Sequence, residues 1–373
     1  MKESEFFLSI VNEFTSNNLK EKMMDKVRIG LVGLGFMGST HFRVYRDFVP
    51  NAQVVAVADV DPVKRTGDIS SVKGNIGNDD NSIPLDFTGI KVYSNGFDMI
   101  KDADIDMVDI CVPTPYHKDL IVAALAAGKY VQSEKPLCRN LEQAEEIKKA
   151  VEGSDKFFNV DMCVRAWPAY RHALVNYQAG KYGKMRAANF HRLSPCVDDG
   201  HWQDWFSYGE LAGGALLDMH LHDTDFIATM FGNPKAVTSN GIDGFVSKSG
   251  IDHVITIYHY DDGALVSAEG TWGAPATAPF EMTFQIYCEK ATLRLTPTDY
   301  TIYWTDGTVE KPELDDKELP TGWHHQFKYF VDCVKNGVKP DKYQTFQSVY
   351  DAFKVIMAEQ ESIDKKKTIE IKY

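Results

Sequence analysis

The 373-residue chain contains no Cys-x-x-Cys pair, and its six cysteines (111, 138, 163, 196, 288, 333) are scattered. That spacing argues against structural zinc and fits reduced thiols in a cytoplasmic protein. A basic surplus is also missing: 40 Lys and Arg stand against 53 Asp and Glu, for a net charge of −13. Nucleic acid and anionic membrane surfaces reward basic patches, so neither is an expected partner. No apolar run approaches the roughly 20 residues that span a bilayer. Repeats and low-complexity segments are lacking too. The opening residues do not follow a secretory signal, because Glu3 and Glu5 come early and Ser9 interrupts Phe6-Phe7-Leu8. Residues 1–24 read as an N-terminal extension.

What remains is an ordinary globular composition, 44% hydrophobic and 25% charged, in a chain long enough for two domains. From residue 27, apolar strands alternate with amphipathic helices: "VRIGLV", "FMGSTHFRVYRDF", "QVVAVAD", "MVDICV", "HKDLIVAALAAG", "KYVQS", "NLEQAEEIKKAV". Alternation of this kind implies a doubly wound parallel sheet, a Rossmann domain, over residues 25–160. The polar stretch 62–90 reads as a surface insertion with a short helix. From about residue 184 the runs "KMRAANFHRL", "HVITIYHYD", "ALVSAEGTW", "FEMTFQIYCE" and "ATLRLT" follow one another with short turns. They imply an α+β domain over 161–373 with a large, mostly antiparallel open sheet, closed by helices near 322–335 and 344–361.

Two stretches carry chemistry. "GLGFMG" places Gly33, Gly35 and Gly38 in the G-x-G-x-x-G spacing, with Phe36 and Met37 between them, after a strand and before a helix. The first glycine permits the tight turn, the second admits a pyrophosphate, and the third lets helix and strand pack closely. Asp59 follows 21 residues after Gly38, where an acid holds a ribose hydroxyl and repels a 2′-phosphate. NAD is therefore expected over NADP, although Lys64 and Arg65 lie nearby. The second stretch is "GALLDMHLHDTDF". On a helix Asp218, His222 and Asp225 share one face at i, i+4 and i+7, while His220 points away. The His-x-His pair would not converge on a metal, and none is expected.

With "CVPTPYHKDLIVAALAAGKYVQSEKPL" added, the chain resembles the glucose–fructose oxidoreductase / inositol dehydrogenase (Gfo/Idh/MocA) family from about Val27 onward. The resemblance implies a metal-free, nicotinamide-dependent dehydrogenase of a sugar or cyclic polyol, assembled as a homo-oligomer. It assigns catalysis to Lys135 of the Glu134-Lys135-Pro136 motif, His222 as base and Asp218 as its orienting partner. Thr114, Pro115, His117, Glu134 and Lys135 join the glycine loop and Asp59 in cofactor binding. Arg165 and Asp225 fall at substrate-binding positions. Trp202, with Trp167, Trp205, Tyr208 and His201, is a candidate sugar-stacking wall, since aromatic faces suit ring carbon. Two other functions suit the same family: an NAD-dependent glycosidase acting by transient oxidation, and a cofactor-binding regulator without turnover.

Overall fold

The computed structural model describes residues 25–73, 81–101, 104–195, 202–244, 246–275, 277–314, 317–341 and 344–373. The N-terminal extension, His201 and the side chain of Trp202 lie outside what is described.

Strand β1 (Val27–Val32) enters the glycine turn and helix α1 (Phe36–Phe48) leaves it, at the bounds the apolar pattern sets. β2 (Ala52–Ala58), β3 (Lys91–Tyr93), α2 (Gly96–Lys101), β4 (Met107–Ile110), α3 (His117–Ala126), β5 (Tyr130–Ser133), α4 (Leu141–Glu152) and β6 (Phe158–Val160) complete the first layer set. The six strands are parallel, in the order β3-β2-β1-β4-β5-β6. That order reverses direction at β1/β4, the crevice where open α/β sheets bind ligands. Asn140 caps α4 by accepting from Gln143 N at 2.9 Å, and Gln143 Oε1 accepts from Arg139 N, satisfying donors at the helix start. The segment expected as a surface insertion is anchored where it is described: Ile69 and Leu85 are buried against Leu31, Leu34, Phe42 and Val57.

The remainder builds a nine-stranded sheet. After α5 (Pro168–Gln178), β7 (Met185–Pro195) and α6 (Leu221–Phe231) come β8 (Ala236–Asp243), β9 (Ile251–His259), β10 (Leu265–Ala274), β11 (Glu281–Cys288), β12 (Ala291–Leu295), β13 (Tyr300–Trp304) and β14 (Val309–Glu310). Helices α7 (Gly322–Asn336) and α8 (Phe346–Lys365) and strand β15 (Ile369–Glu370) end the chain. The strand order is β14-β13-β12-β11-β7-β10-β9-β8-β15, antiparallel except where β7 pairs with β10. One face packs on α5, α6 and α8 through Tyr170, Phe226 and Val355. The register puts Ile242, Ile255, Ile257, Tyr287 and Tyr303 together on the other face, where all five are exposed.

Helix α7 departs from a simple division at residue 160. Its Phe327, Phe330, Val331 and Val334 pack against Val27, Ile29, Val44 and Tyr45 of the Rossmann layers. Gly322 makes that return possible, because a Cβ there would meet Cys163 O at 2.1 Å. Among the described residues no helix is long and apolar enough to cross a membrane.

Candidate active site

A cavity of about 690 Å³ runs from the glycine turn across the carboxyl ends of the Rossmann strands to the second sheet. At its β1 end, Gly33 adopts φ +92°, and a Cβ there would lie 2.4 Å from Cys111 O. Gly35 has nothing within 4 Å of an added Cβ and faces the open crevice. Gly38 is packed instead: its Cβ would lie 1.8 Å from Gly33 O, as expected of the third glycine. Phe36 and Met37 line the cavity at the start of α1, and the N–H groups of a helix's first turn suit an anion. Asp59, at the end of β2, accepts from Leu34 N at 2.6 Å and Asp61 N at 2.8 Å. Arg65 Nη1 donates to the carbonyls of Asp59 and Val60, both at 2.9 Å. The open backbone at Gly35 and the acid beside the turn fit a dinucleotide with an unsubstituted ribose. Thr114, Glu134 and Lys135 also line this cavity. Pro115 and His117 do not. His117 is buried with its ring nitrogens 2.9 Å from Pro136 O and 2.8 Å from Val112 O, bracing the two loops.

At the other end, Lys135 Nζ donates to Asp218 Oδ1 at 2.6 Å and to Asp218 O at 3.0 Å. Trp272 Nε1, from β10, donates to Asp218 Oδ2 at 3.1 Å. Burial disfavours the ammonium, but Asp218 and Glu134 outweigh it and raise the Lys135 pKa. His222 lines the same cavity. Burial, with Lys135 and Arg192, pushes its pKa well below the usual histidine value. Among the described residues its Nδ1 has no hydrogen-bond partner.

The expected Asp218–His222 bond is therefore replaced. Residues Leu216–His220 form a π-turn before α6, and its wider winding offsets Asp218 from the i+4 position below His222. Asp218 turns to Lys135 and Trp272. His220 diverges as expected, lying 2.8 Å from Glu359 and 3.2 Å from Thr256 on the far side.

Arg165 and Asp225 also correct the sequence reading. Arg165 Nε donates to Asp225 Oδ2 at 2.7 Å, Nη2 pairs with Oδ1, and Nη1 donates to Ser348 at 2.7 Å. Neither residue lines the cavity. A buried guanidinium needs a full set of acceptors, and Asp225 is its counter-ion rather than a substrate ligand.

Trp167 and Trp205 line the cavity with Phe206, Phe280 and Trp323, so part of the expected aromatic wall is present. Tyr208 is not among the lining residues; Lys248 Nζ lies 4.8 Å from its ring centroid.

Three groups escaped sequence reasoning. Arg192, from β7, lines the cavity while its fork donates to Asp223 at 3.0 and 2.8 Å. Trp272 fixes Asp218. Behind Lys135, His41 of α1 lies 2.8 Å from Asp109, 3.0 Å from Glu134 and 3.4 Å from Asp161. Burial opposes charge on His41, yet Cys111 and Asp109 hold its pKa well above the ordinary value. Ligand-type atoms of His41 with Asp109 and Cys111, or with Glu134 and Asp161, lie within 4.8 Å of one another. With its pKa pushed up, His41 favours the form that donates Nδ1–H to Asp109 and Nε2–H to Glu134, and that form offers no lone pair to a metal. A lone acid inside an apolar strand, Asp109 in "MVDICV", was the one sequence signal for this cluster.

Residues 27–162 match the family model described as "Oxidoreductase family, NAD-binding Rossmann fold", and 170–294 match the Gfo/Idh/MocA C-terminal domain. A scyllo-inositol 2-dehydrogenase (NAD(+)) of Bacillus subtilis is 26% identical over 85% of this chain and 89% of its own. A trans-1,2-dihydrobenzene-1,2-diol dehydrogenase of Bos taurus is 24% identical over 84% and 90%. The fold matches that of a levoglucosan dehydrogenase in complex with NADH and levoglucosan, with a TM-score of 0.80 and 20% identity over 93% and 99% of the two chains. With both its domains matched in order, the chain belongs to the Gfo/Idh/MocA family of NAD-binding oxidoreductases.

Proposed function

We propose that the protein is an NAD-dependent dehydrogenase that oxidises a hydroxyl of a sugar or cyclic, inositol-like polyol. The observation that carries this is that Lys135, hydrogen-bonded to Asp218, and His222 line one cavity, which the glycine turn opens; the Lys135 pKa is pushed up and that of His222 down. NAD, when bound, supplies the hydride acceptor. The Lys135 ammonium donates to the reacting oxygen and steadies the charge that grows there. His222 accepts the hydroxyl proton, because its surroundings disfavour the imidazolium and leave the ring unprotonated to receive one. Asp218 positions Lys135 and keeps it charged.

The aromatic residues Trp167, Trp205, Phe206, Phe280 and Trp323 supply a stacking surface for a ring. That surface also suits a trans-dihydrodiol, the compound class in the name of the bovine relative. The exposed apolar row on β8, β9, β11 and β13 supports assembly of identical chains through the open sheet. The five described cysteines are free, in keeping with a cytoplasmic enzyme.

The test is NADH formation from NAD, screened across inositols, aldoses, sugar acids, amino-polyols and trans-dihydrodiols. A cyclic polyol or sugar should be oxidised. Cleavage of an aryl glycoside without net NADH would favour the glycosidase reading, and NAD binding without any turnover would favour a regulator.

A further inference from the structure

Asp161 follows the last residue of β6, and its backbone N–H donates to Ser133 O at 2.8 Å, which fixes it beside β5. Its side chain is fully buried, yet the residue lines the cavity. Among the described residues neither carboxyl oxygen has a hydrogen-bond partner; His41 Nε2 makes only a long ion contact with Oδ2, at 3.4 Å, and is taken by Glu134 at 3.0 Å. Buried polar groups are nearly always paired, so two orphaned oxygens in a ligand cavity call for a ligand atom.

The position says which ligand. The glycine turn ends β1 and Asp59 ends β2, so the pyrophosphate and one ribose lie on that side of the switch point. The other half of a dinucleotide then extends over the ends of β4, β5 and β6, where Asp161 waits. The polar substituent on that half is a carboxamide, with one acceptor oxygen and two N–H donors.

We propose that Asp161 is a cofactor-binding residue whose carboxyl group pairs with the nicotinamide carboxamide. This rests on the NAD assignment above. A protonated carboxyl is the complementary partner: its O–H donates to the amide oxygen while its carbonyl accepts from the amide NH2. The ionised form keeps only the second bond. Burial, and then the charge of Glu134, push the Asp161 pKa up to about 7, against the pull of His41. The groups facing this site are His41 from α1, Asp109 and Cys111 at the β4 end, Glu134 and Lys135 at the β5 end, and Cys163 beyond β6; α7 adds the uncharged Phe327 and Gln326. Keeping a buried acid neutral so that it can donate is an established device in enzymes.

The experiment compares equilibrium binding of NADH and of ADP-ribose, which lacks the nicotinamide, to the parent, Asp161→Ala and Asp161→Asn. Asp161→Ala should weaken NADH about ten-fold, the worth of one to two hydrogen bonds, and leave ADP-ribose unchanged. Asp161→Asn offers both a donor and an acceptor, so it should hold NADH within about two-fold of the parent. Parent NADH affinity should fall as pH rises through about 7. Affinity of the Asn variant should stay level, as should ADP-ribose binding to either protein. Equal affinities of parent and Asp161→Ala for NADH would overturn the inference alone, as would equal losses for both ligands. A parent that binds neither ligand would overturn the cofactor assignment and this inference with it.

Discussion

Lys135 Nζ and Asp218 Oδ1 stand 2.6 Å apart, 83 residues apart in sequence, at the seam between the Rossmann strands and the second sheet. Lys135 comes from the turn after β5 and Asp218 from the π-turn before α6, so the pair forms only when both domains are folded together. Trp272 on β10 holds the second oxygen of the carboxylate.

Asp218→Asn should therefore act through Lys135. Without the carboxylate, burial lowers the ammonium's pKa, so the basic limb of the turnover–pH profile should move to lower pH. The acidic limb should stay in place. A shift of the acidic limb alone would restore Asp218 as the partner of His222.

Lys135→Met removes the cation proposed to meet the reacting oxygen and leaves the glycine turn untouched. Loss of a preorganised donor of this kind costs about 10²–10³-fold in turnover. ADP-ribose affinity, measured by calorimetry, should remain at the parental level. Parental turnover in this variant would place the oxygen elsewhere in the cavity.

Arg165 and Asp225 should announce themselves in stability rather than in substrate affinity. Breaking a buried pair by removing one partner costs about 3–5 kcal/mol. Urea denaturation of Asp225→Asn should show a loss of that order, and the paired change Arg165→Met with Asp225→Leu should recover much of it. A raised KM with unchanged denaturation would return both residues to the substrate site.

How much of this was legible in the sequence depends on the range of the force involved. β1, α1 and the Asn140 cap are local: an apolar run, a glycine spacing and a side-chain cap determine them, and their bounds agree with the pattern. The order of the Rossmann strands follows from handed crossovers between consecutive units. α7 was legible as a helix but not as a Rossmann-layer helix, because its partners Val27 and Tyr45 lie about 300 residues upstream. The partners of Asp218 were misread for a local reason: one π-turn changes the phase that an i, i+4 argument assumes. Arg192, Trp272 and the Asp161 cluster depend on side chains from separate strands meeting, and no spacing in a single chain encodes that. Asp225 had the right residue type at a suggestive position, and only the buried guanidinium of Arg165 decides its role.

Asp59→Ser should relax the preference for NAD over NADP, measured as the ratio of their dissociation constants. The carboxylate repels a 2′-phosphate, and Lys64 lies in the same cavity to receive one. The variant also loses an acceptor for Leu34 N and Asp61 N, so binding of both cofactors should weaken somewhat. Tighter binding of NADP by the parent protein would contradict the assignment.

In the proposed mechanism His222 takes the substrate proton beside Lys135. The most direct test is the pH profile of turnover for the parent and His222→Ala on the best substrate, alongside NADH binding. Because the imidazole pKa is depressed, the parent should stay active below the ordinary histidine range before activity falls with acid. His222→Ala should lose about 10²–10⁴-fold in turnover and lack that acidic limb, with NADH affinity intact. Near-parental turnover with an unchanged acidic limb would move the base to another group in the cavity.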